Sequence, residues 1–447
     1  MPSAPLPERS QPSLHRVINT LQLWAIAVGM VISGIYFGWN YGWAIAGTLG
    51  FLVAVLLVTV LYITFIFSYT ELTAAIPEAG GAFTYAFRAF GPNWGFIAGF
   101  GTLVDFVMAP PAIAFALGSY THFLNPDVSE TSVSMGAYVV FISVNLFGIK
   151  ESANFSLVIT VLSVVELLVF MGLAAPYYKT ENFLAHNPPV TAGGIFEALP
   201  FAIWFYIAIE GVAMVAEEVR DPKRTIPKGY LLSILTLTVL ALGTMLLSGG
   251  ATDWRLLSNI DYPLPETLSL TLGRGNAWTK IFASLGLFGL IASFHANTIG
   301  YSRQIYALAR EGYLPRFLAA VNTRFRTPHW ALAGGGLVGM AALLTGRTDE
   351  IIILSVLGAM VMYLTSLLSL FQLRIKEPQL ERPFLTPFYP WVPLVALVLT
   401  LICMGAIIYY NQQLSLAFFA LLLLSAGIFR IIKKQKLIPQ SGSDTSS

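Results

Sequence analysis

Charged residues and cysteine are both scarce in this sequence. Only 11% of its 447 residues are charged and 56% are hydrophobic, whereas soluble globular domains carry about 25% charged residues. This shortage excludes an ordinary soluble domain, and the net charge of +2 argues against a nucleic-acid partner. The one cysteine, Cys403, excludes an intrachain disulfide.

Sequence motifs for enzymatic chemistry are also lacking. The chain contains no phosphate-binding G-x-x-x-x-G-K-[ST] and no H-E-x-x-H, so neither ATP coupling nor a zincin site is supported. No metal-ligand or nucleophile constellation is visible, and we expect no enzymatic activity, no metal and no cofactor. The first apolar run, from Leu21 to about Ala46, is too long for a signal-peptide core.

Long apolar runs, in contrast, recur along the whole chain. A spanning helix needs about 20 apolar residues, and twelve runs qualify as candidates. They are 20–45, 48–74, 92–124, 132–149, 153–177, 194–217, 228–250, 278–309, 328–346, 350–374, 389–410 and 413–433. We therefore predict an all-α integral membrane protein with 12 transmembrane helices and a single domain over residues 20–435. Residues 1–19 and 436–447 are predicted to be cytoplasmic tails, the second of them disordered.

The basic residues are distributed unevenly between the predicted loops. With a cytoplasmic N-terminus, all but five of the 25 Lys and Arg residues fall on the inner side. The five on the outer side are Lys179, Arg255, Arg274, Lys280 and Arg347. Because cytoplasmic loops are enriched in Lys and Arg, this asymmetry predicts that both termini are cytoplasmic.

Three acidic residues lie well inside predicted spans. Asp105, Glu166 and Glu210 fall in spans three, five and six, and no basic residue lies at comparable depth. A charge at the centre of a membrane helix costs about 2.5–3.5 kcal/mol on insertion scales, so such residues are usually paired or functional. The basic partner must therefore come from outside the chain, or the acids must be protonated.

Two spans contain signs of an interrupted helix. Span one holds Gly29, Ser33, Gly34 and Gly38 within ten residues, and span six places Gly211 beside Glu210. Glycine disfavours helix by about 1 kcal/mol, and interrupted helices at matching positions of two halves mark a transporter's binding site. We predict an inverted 5+5 repeat, with repeat one over about 20–177, repeat two over about 194–374 and two appended helices over 389–433. Alternatively, the glycines only permit close helix packing.

Three sequence blocks carry a family resemblance. They are PEAGGAFTYAFRAFGPNWGF from Pro77, FAIWFYIAIEGVAMVAEEVRDPKRTIPK from Phe201 and YSRQIYALAREGYLPRFLAAVNTRFRTPHWAL from Tyr301. Together they resemble the amino acid–polyamine–organocation permeases, and VISGIYFGWNYGW from Val31 looks most like the ethanolamine permeases. The resemblance implies a LeuT-type fold and secondary transport across a bacterial inner membrane.

One position departs from the pattern of this family. Amino-acid members usually have Gly-Ser-Gly at the break in span one, where backbone N–H groups hold the substrate carboxylate. Here the triplet is Ile32-Ser33-Gly34. The branched side chain argues against carboxylate binding and fits a substrate with an ammonium and no acid, such as ethanolamine. Ser33 and Gly34 remain predicted substrate-binding residues.

The acids have two possible roles each. Asp105 is predicted to be a counter-ion for the substrate ammonium through a charge-assisted hydrogen bond, the alternative being a protonated acid bonded to a neighbouring helix. Glu210 matches an acidic position of the family after the break in span six, where it can bind substrate, gate or carry a proton. Glu166 is either a proton relay or a structural hydrogen-bonding group.

Two aromatic residues and one histidine complete the predicted site. Tyr36 and Tyr206 flank the breaks, and cations bind over aromatic faces, although Tyr also belongs in membrane-interface belts. His295 in span eight either contacts a substrate hydroxyl or a proton, or is a packing residue. The coupling candidates are therefore Glu210, Glu166 and His295.

We predict a permease that imports ethanolamine or a related small amine by alternating access. A permease for a zwitterionic or cationic amino acid is the nearest alternative, and a non-transporting sensor or a channel is the alternative from another class. Coupling to H⁺ is favoured over Na⁺, because span eight has no adjacent Ser/Thr pair. The oligomeric state and the exact amine stay open.

Overall fold

The computed structural model describes residues 16–147, 153–325 and 327–436. The predicted tails lie outside this part except for residues 16–19 and 436. Within it the chain is helical, and one isolated backbone bridge pairs Ile18 with Val219.

Seventeen α-helices follow one another in chain order. They are α1 (Thr20–Val31), α2 (Ser33–Tyr36), α3 (Tyr41–Ala75), α4 (Ala82–Phe90), α5 (Pro92–Leu124), α6 (Glu130–Leu146), α7 (Ala153–Ala174), α8 (Thr180–Leu184), α9 (Ala192–Glu197), α10 (Leu199–Trp204), α11 (Pro222–Ala251), α12 (Pro263–Leu272), α13 (Ala277–Arg310), α14 (His329–Leu343), α15 (Thr348–Lys376), α16 (Trp391–Tyr410) and α17 (Gln412–Lys436). The 3₁₀ segments are Ala175–Tyr177, Ile209–Glu218, Trp254–Leu256 and Arg316–Ala319.

Nine helical segments in the described part are long and apolar enough to cross a membrane. Two shorter apolar helices also match predicted spans: α1 covers the first part of span one and α14 covers most of span nine, while α6 covers most of span four. The chain is therefore a multi-pass, all-helical membrane protein. The count of twelve spans and the 5+5 repeat stay predictions.

The boundary between predicted spans one and two lies inside a single element. Helix α3 continues from Tyr41 to Ala75 through a kink at Gly47, where φ is +64° and ψ is −178°. A non-glycine side chain rarely adopts this backbone conformation, so glycine permits the sharp change of direction. The segment Tyr41–Ala46 thus completes span one and the remainder of α3 is span two.

Burial separates central helices from peripheral ones. The most apolar stretch within Leu199–Glu218 is entirely buried, and 83% of that of α15 and 78% of that of α5 are buried. For α16 and α17 the fractions are 28% and 22%. Spans three, six and ten therefore form the centre of the bundle, while the last two helices lie at its periphery.

Ion pairs cluster at one end of the bundle, which we call the basic face. There the Glu71 carboxylate, at 1% exposure, accepts hydrogen bonds from Arg374 Nε and Nη2 at 2.8 and 2.6 Å, and Arg382 Nε lies 3.3 Å away. Arg88 pairs with Glu377 at 2.6 Å, and this hydrogen bond holds the pKa of Glu377 below its ordinary value. These pairs tie α3 and α4 to the end of α15.

Candidate functional site

The first span is interrupted twice within the predicted glycine cluster. Helix α1 ends at Val31, α2 occupies only Ser33–Tyr36, and Phe37 is extended with φ −159° and ψ 173°. Gly38 follows with φ +90°, a conformation that favours glycine. The chain resumes helix at Tyr41, so the longer interruption lies at residues 37–40.

The sixth span is interrupted just before its acid. Helix α10 ends at Trp204, and Ala208 is left-handed with φ +76°, an uncommon conformation for a residue with a Cβ. The chain then continues as the 3₁₀ segment that begins at Ile209. The interruption therefore precedes Gly211, which was the sequence signal, and places Glu210 in the first turn after it.

The two interruptions are in direct contact. An added Cβ on Gly34 would overlap the Trp204 carbonyl oxygen, and it would lie 3.2 Å from the carbonyl carbon of that residue. In the other direction, Trp204 Nε1 donates to the Phe37 carbonyl at 3.1 Å. Gly34 is thus required because the backbones of spans one and six approach each other at this point.

Asp105 and Glu210 meet beside this crossing. Both are almost fully buried, at 1% and 2% exposure. The Ser355 hydroxyl donates to Asp105 Oδ1 at 2.8 Å, and the Tyr363 hydroxyl donates to Glu210 Oε2 at 3.0 Å. One helix, α15, therefore supplies a hydroxyl to each acid, and we call the two acids the acid pair.

The two carboxyl groups of the acid pair are close neighbours. The side chains of Asp105 and Glu210 lie within hydrogen-bonding reach of one another. In the described residues, no side-chain donor reaches Asp105 Oδ2 or Glu210 Oε1, although the backbone of Ala208 and Glu210 lies close to the Glu210 carboxyl. The sequence therefore correctly indicated acids without a basic partner, but it did not indicate that two of them form a pair.

Tyrosine side chains extend the network from the acid pair. The Tyr363 and Tyr62 hydroxyls are 2.9 Å apart, and the Tyr62 ring stacks on Tyr206 with centroids 5.0 Å apart. The Tyr206 hydroxyl is 2.7 Å from Thr59 Oγ1. Predicted residue Tyr206 is thus separated from the acid pair by the two rings of Tyr363 and Tyr62, and its hydroxyl lies within hydrogen-bond distance of α3.

Glu166 forms a second acidic position, separate from the acid pair. The Tyr36 hydroxyl donates to Glu166 Oε2 at 2.8 Å. The Tyr120 hydroxyl donates to the Tyr36 carbonyl at 3.2 Å, and the two rings pack edge to face with centroids 6.3 Å apart. The structure therefore brings Tyr36 to Glu166 at the end of α2.

Ser33 belongs to a polar cluster between α1 and α13. Ser293 Oγ donates to the Met30 carbonyl at 2.8 Å and lies 2.8 Å from Ser33 Oγ. Asn297 Nδ2 donates to the same carbonyl at 3.1 Å. Protein donors thus satisfy a carbonyl at the end of α1, and the described residues contain no group of three or more His, Cys, Asp or Glu suited to a metal.

His295 is directed away from this cluster. Its Nδ1 lies 3.1 Å from Asn145 Nδ2 on α6, and Phe141 of the same helix packs near its ring. Ser293 and Asn297, two residues to either side, face α1 instead. The structure does not bring His295 together with Asp105 and Glu210, and its proposed role stays a prediction.

Aromatic rings close the bundle on the side opposite the basic face. Trp39 stacks on Phe205 with centroids 5.3 Å apart and packs against Trp43 at 4.8 Å. The Asn40 amide donates to the Leu257 and Ile260 carbonyls at 2.6 and 2.8 Å. These contacts bind the interrupted part of span one to the loop after α11.

A vestibule enters the bundle from the basic face. A cavity of about 430 Å³ is lined by residues that include Gly29, Met30, Met214, Glu218 and Arg303. Met30, Phe106 and Met214 belong to one buried apolar cluster. An added Cβ on Gly211, the residue after Glu210, would lie 3.1 Å from Phe106 Cζ. A thin apolar layer therefore lies between this cavity and the acid pair.

Sequence reasoning missed the hydroxyl partners of the acid pair. Ser355, Tyr363 and Tyr62 are each one of several hydroxyl-bearing residues within long apolar helices. The available signal is the spacing of Ser355 and Tyr363, eight residues apart and hence on similar sides of one helix. That spacing alone could not identify their partners on α5 and on the 3₁₀ segment.

Comparisons with known proteins agree with this architecture. The model of a family described as "Amino acid permease" matches residues 18–429. An uncharacterized transporter of Rhizobium meliloti is 28% identical over 92% of this chain and 91% of its own length. The branched-chain amino acid permease BcaP of Bacillus subtilis is 26% identical over 87% of each chain. The low-affinity putrescine importer PlaP of Escherichia coli K12 is 27% identical over 69% of this chain and 71% of its own.

The family match covers nearly all of the described helices, including both interruptions and the acid pair. Its relatives are transporters rather than enzymes, and their substrates as named are small molecules. Taken with the multi-pass helical bundle, this identifies the chain as a membrane permease of the amino acid permease family, within the amino acid–polyamine–organocation superfamily.

Proposed function

We propose that this permease imports ethanolamine or a closely related small amine, and that Glu210 and Asp105 hold its ammonium group. The acid pair is the observation on which the proposal rests. A buried carboxylate without a partner is costly, and a substrate cation supplies the missing charge. An ammonium has three N–H donors, enough to reach both Asp105 Oδ2 and Glu210 Oε1, which no side-chain donor of the described residues reaches.

The buried Ile32 side chain supports a substrate that has no carboxylate. This side chain is 1% exposed and its backbone is helical, with φ −59° and ψ −26°. In the family pattern the corresponding position is glycine. A buried branched side chain here restricts access to backbone N–H groups, so an amine without an acid fits better than an amino acid.

The route of transport follows from the two faces of the bundle. The cavity below the Met30–Phe106–Met214 layer opens at the basic face, while the Trp39–Phe205 stack closes the other side. With the basic face on the cytoplasmic side of a bacterial inner membrane, this arrangement corresponds to a conformation poised for inward release. Alternating access then requires the aromatic side to open while the apolar layer stays closed.

Coupling to H⁺ is favoured by the chemistry around the acids. The Met30 carbonyl at the end of α1 accepts from Ser293 and Asn297, which makes it a poorer ligand for Na⁺. The acid pair, through Glu210, can take up a second proton when the substrate cation leaves, and Glu166 with Tyr36 provides another position for a proton. His295 remains a coupling candidate on the α6 side of α13.

Amino acid transport is the second candidate function. It is favoured by the similarity to BcaP, which is named a branched-chain amino acid permease. Ser33 and Gly34 retain two of the three residues of the family triplet. A zwitterion could place its ammonium at the acid pair and its carboxylate near these residues.

Uptake by purified protein in proteoliposomes tests the two candidates. Labelled ethanolamine would be competed with excess ethanolamine, alanine, leucine and arginine, with protein-free liposomes as the control. We expect ethanolamine to compete far better than any amino acid. Equal competition by alanine or leucine would show that the site accepts a carboxylate and would favour amino acid transport.

A further inference from the structure

The acid pair has an unusual pattern of hydrogen bonds. Each carboxyl receives one hydroxyl from α15, at 2.8 Å for Asp105 and 3.0 Å for Glu210. The two carboxyl groups also lie within hydrogen-bonding reach of each other, and in the described residues no side-chain donor reaches Asp105 Oδ2 or Glu210 Oε1. A carboxylate is only an acceptor, so a hydrogen bond between two carboxyl groups requires one proton between them.

The groups around the acid pair offer no alternative source of positive charge. In the part of the chain that the structure describes, the titratable side chains close enough to feel the charge of the pair are tyrosines from three helices, and Cys403 of α16 lies near Tyr62. These tyrosines are Tyr62 and Tyr69 of α3, Tyr230 of α11 and Tyr363 of α15. Since tyrosine is neutral or negative, two ionised carboxylates here would repel each other without compensation.

We propose that Asp105 and Glu210 share one proton and so present a single negative charge, which makes the site selective for amines carrying one positive charge. This inference deepens the proposed function and depends on it for the identity of the ligand. A monocation neutralises the pair while the shared proton stays in place. A dication is neutralised only when that proton leaves for the solvent, so its binding releases about one proton more.

The difference in the number of protons released by a diamine and by a monoamine makes the selectivity depend on pH in a measurable way. By linkage, a ligand whose binding releases one additional proton gains affinity by about tenfold for each pH unit of increase. The affinity of a diamine relative to a monoamine should therefore rise about tenfold per pH unit. At low pH the pair should strongly prefer the monoamine.

The first test measures this ratio on the full-length protein in detergent. Ethanolamine and putrescine, a diamine that stays doubly charged near neutral pH, would be titrated calorimetrically between pH 6 and 8 in buffers of different ionisation enthalpy. We expect putrescine to release about one proton more than ethanolamine. In Asp105→Asn the difference should disappear, because a single carboxylate has no shared proton to release. An equal proton count in the wild type, or putrescine binding as tight as ethanolamine at pH 6, would overturn the proposal without using any variant.

A second test requires no ligand. The carbonyl stretch of protonated carboxyl groups would be recorded by infrared spectroscopy for wild type, Asp105→Asn, Glu210→Gln and the double variant. A shared proton predicts strongly non-additive changes in this double-mutant cycle, whereas additive changes would contradict it. If the cycle is non-additive but no amine binds, the acid pair stands and the proposed substrate is wrong. If ethanolamine binds but the cycle is additive, the substrate stands and the shared proton is wrong.

Discussion

Gly34→Ala should impair transport by separating the two interrupted spans. The added Cβ would overlap the Trp204 carbonyl oxygen and would lie 3.2 Å and 3.6 Å from the Trp204 carbonyl carbon and Phe205 Cα. These are backbone atoms, so no side-chain rotation relieves the overlap, and α2 must move away by about 1 Å to restore normal contact distances. Overpacking of this kind costs about 1–3 kcal/mol in stability. A 1 Å displacement in a binding constellation can cost on the order of 100-fold in activity.

The assay is initial-rate amine uptake in proteoliposomes, with thermal unfolding measured on the same preparations. Gly136→Ala is the matched control, because an added Cβ on α6 at that position meets nothing within 4 Å. We expect uptake to fall about 100-fold in Gly34→Ala while most of the protein remains folded, and to change little in Gly136→Ala. Wild-type uptake by Gly34→Ala would refute the close contact between the two interruptions.

Three other changes test separate parts of the molecule. Glu71→Gln should lower the free energy of unfolding by about 3–5 kcal/mol, because it leaves the charges of Arg374 and Arg382 uncompensated. The control Glu377→Gln changes a more exposed carboxylate and should cost about 1 kcal/mol or less. Equal midpoints of thermal unfolding for the two variants would contradict this difference. Ile32→Gly should strengthen alanine competition for uptake and Ile35→Gly should not, so an unchanged alanine profile would show that Ile32 does not exclude carboxylates. A reporter inserted near Asp253 should be external and one at the C-terminus cytoplasmic, and the reverse result would overturn the charge-based orientation.

The helical segments could largely be predicted from the sequence, since long apolar runs are properties of individual segments. Each predicted span corresponds to a helical segment, including those interrupted near Ser33 and Glu210. The exact position of the second interruption could not be predicted. It lies at Ala208, whose left-handed backbone is unfavourable for alanine and so has no signal in the residue itself.

The partners of the buried acids were beyond sequence reasoning for a similar reason. Asp105, Glu166 and Glu210 were identified because acids are rare in apolar runs. Which of them would meet depends on how α5, α7 and the 3₁₀ segment pack, and nothing local to those segments encodes it. The structure pairs two of them and directs Glu166 to Tyr36 instead.

Whether Glu210 holds the substrate cation is tested most directly by equilibrium binding of ethanolamine to purified protein across pH. Glu210→Gln nearly preserves shape and the Tyr363 hydrogen bond but removes the charge. A charge-assisted hydrogen bond is worth about 1.5–3 kcal/mol, so affinity should fall at least tenfold. Wild-type binding should weaken as pH falls, because a second proton on the acid pair removes the single negative charge that holds the amine, and the variant should change this dependence. Glu377→Gln, which removes a carboxylate at the basic face, should bind like wild type. Unchanged affinity and an unchanged pH profile in Glu210→Gln would contradict the role of Glu210 as the counter-ion.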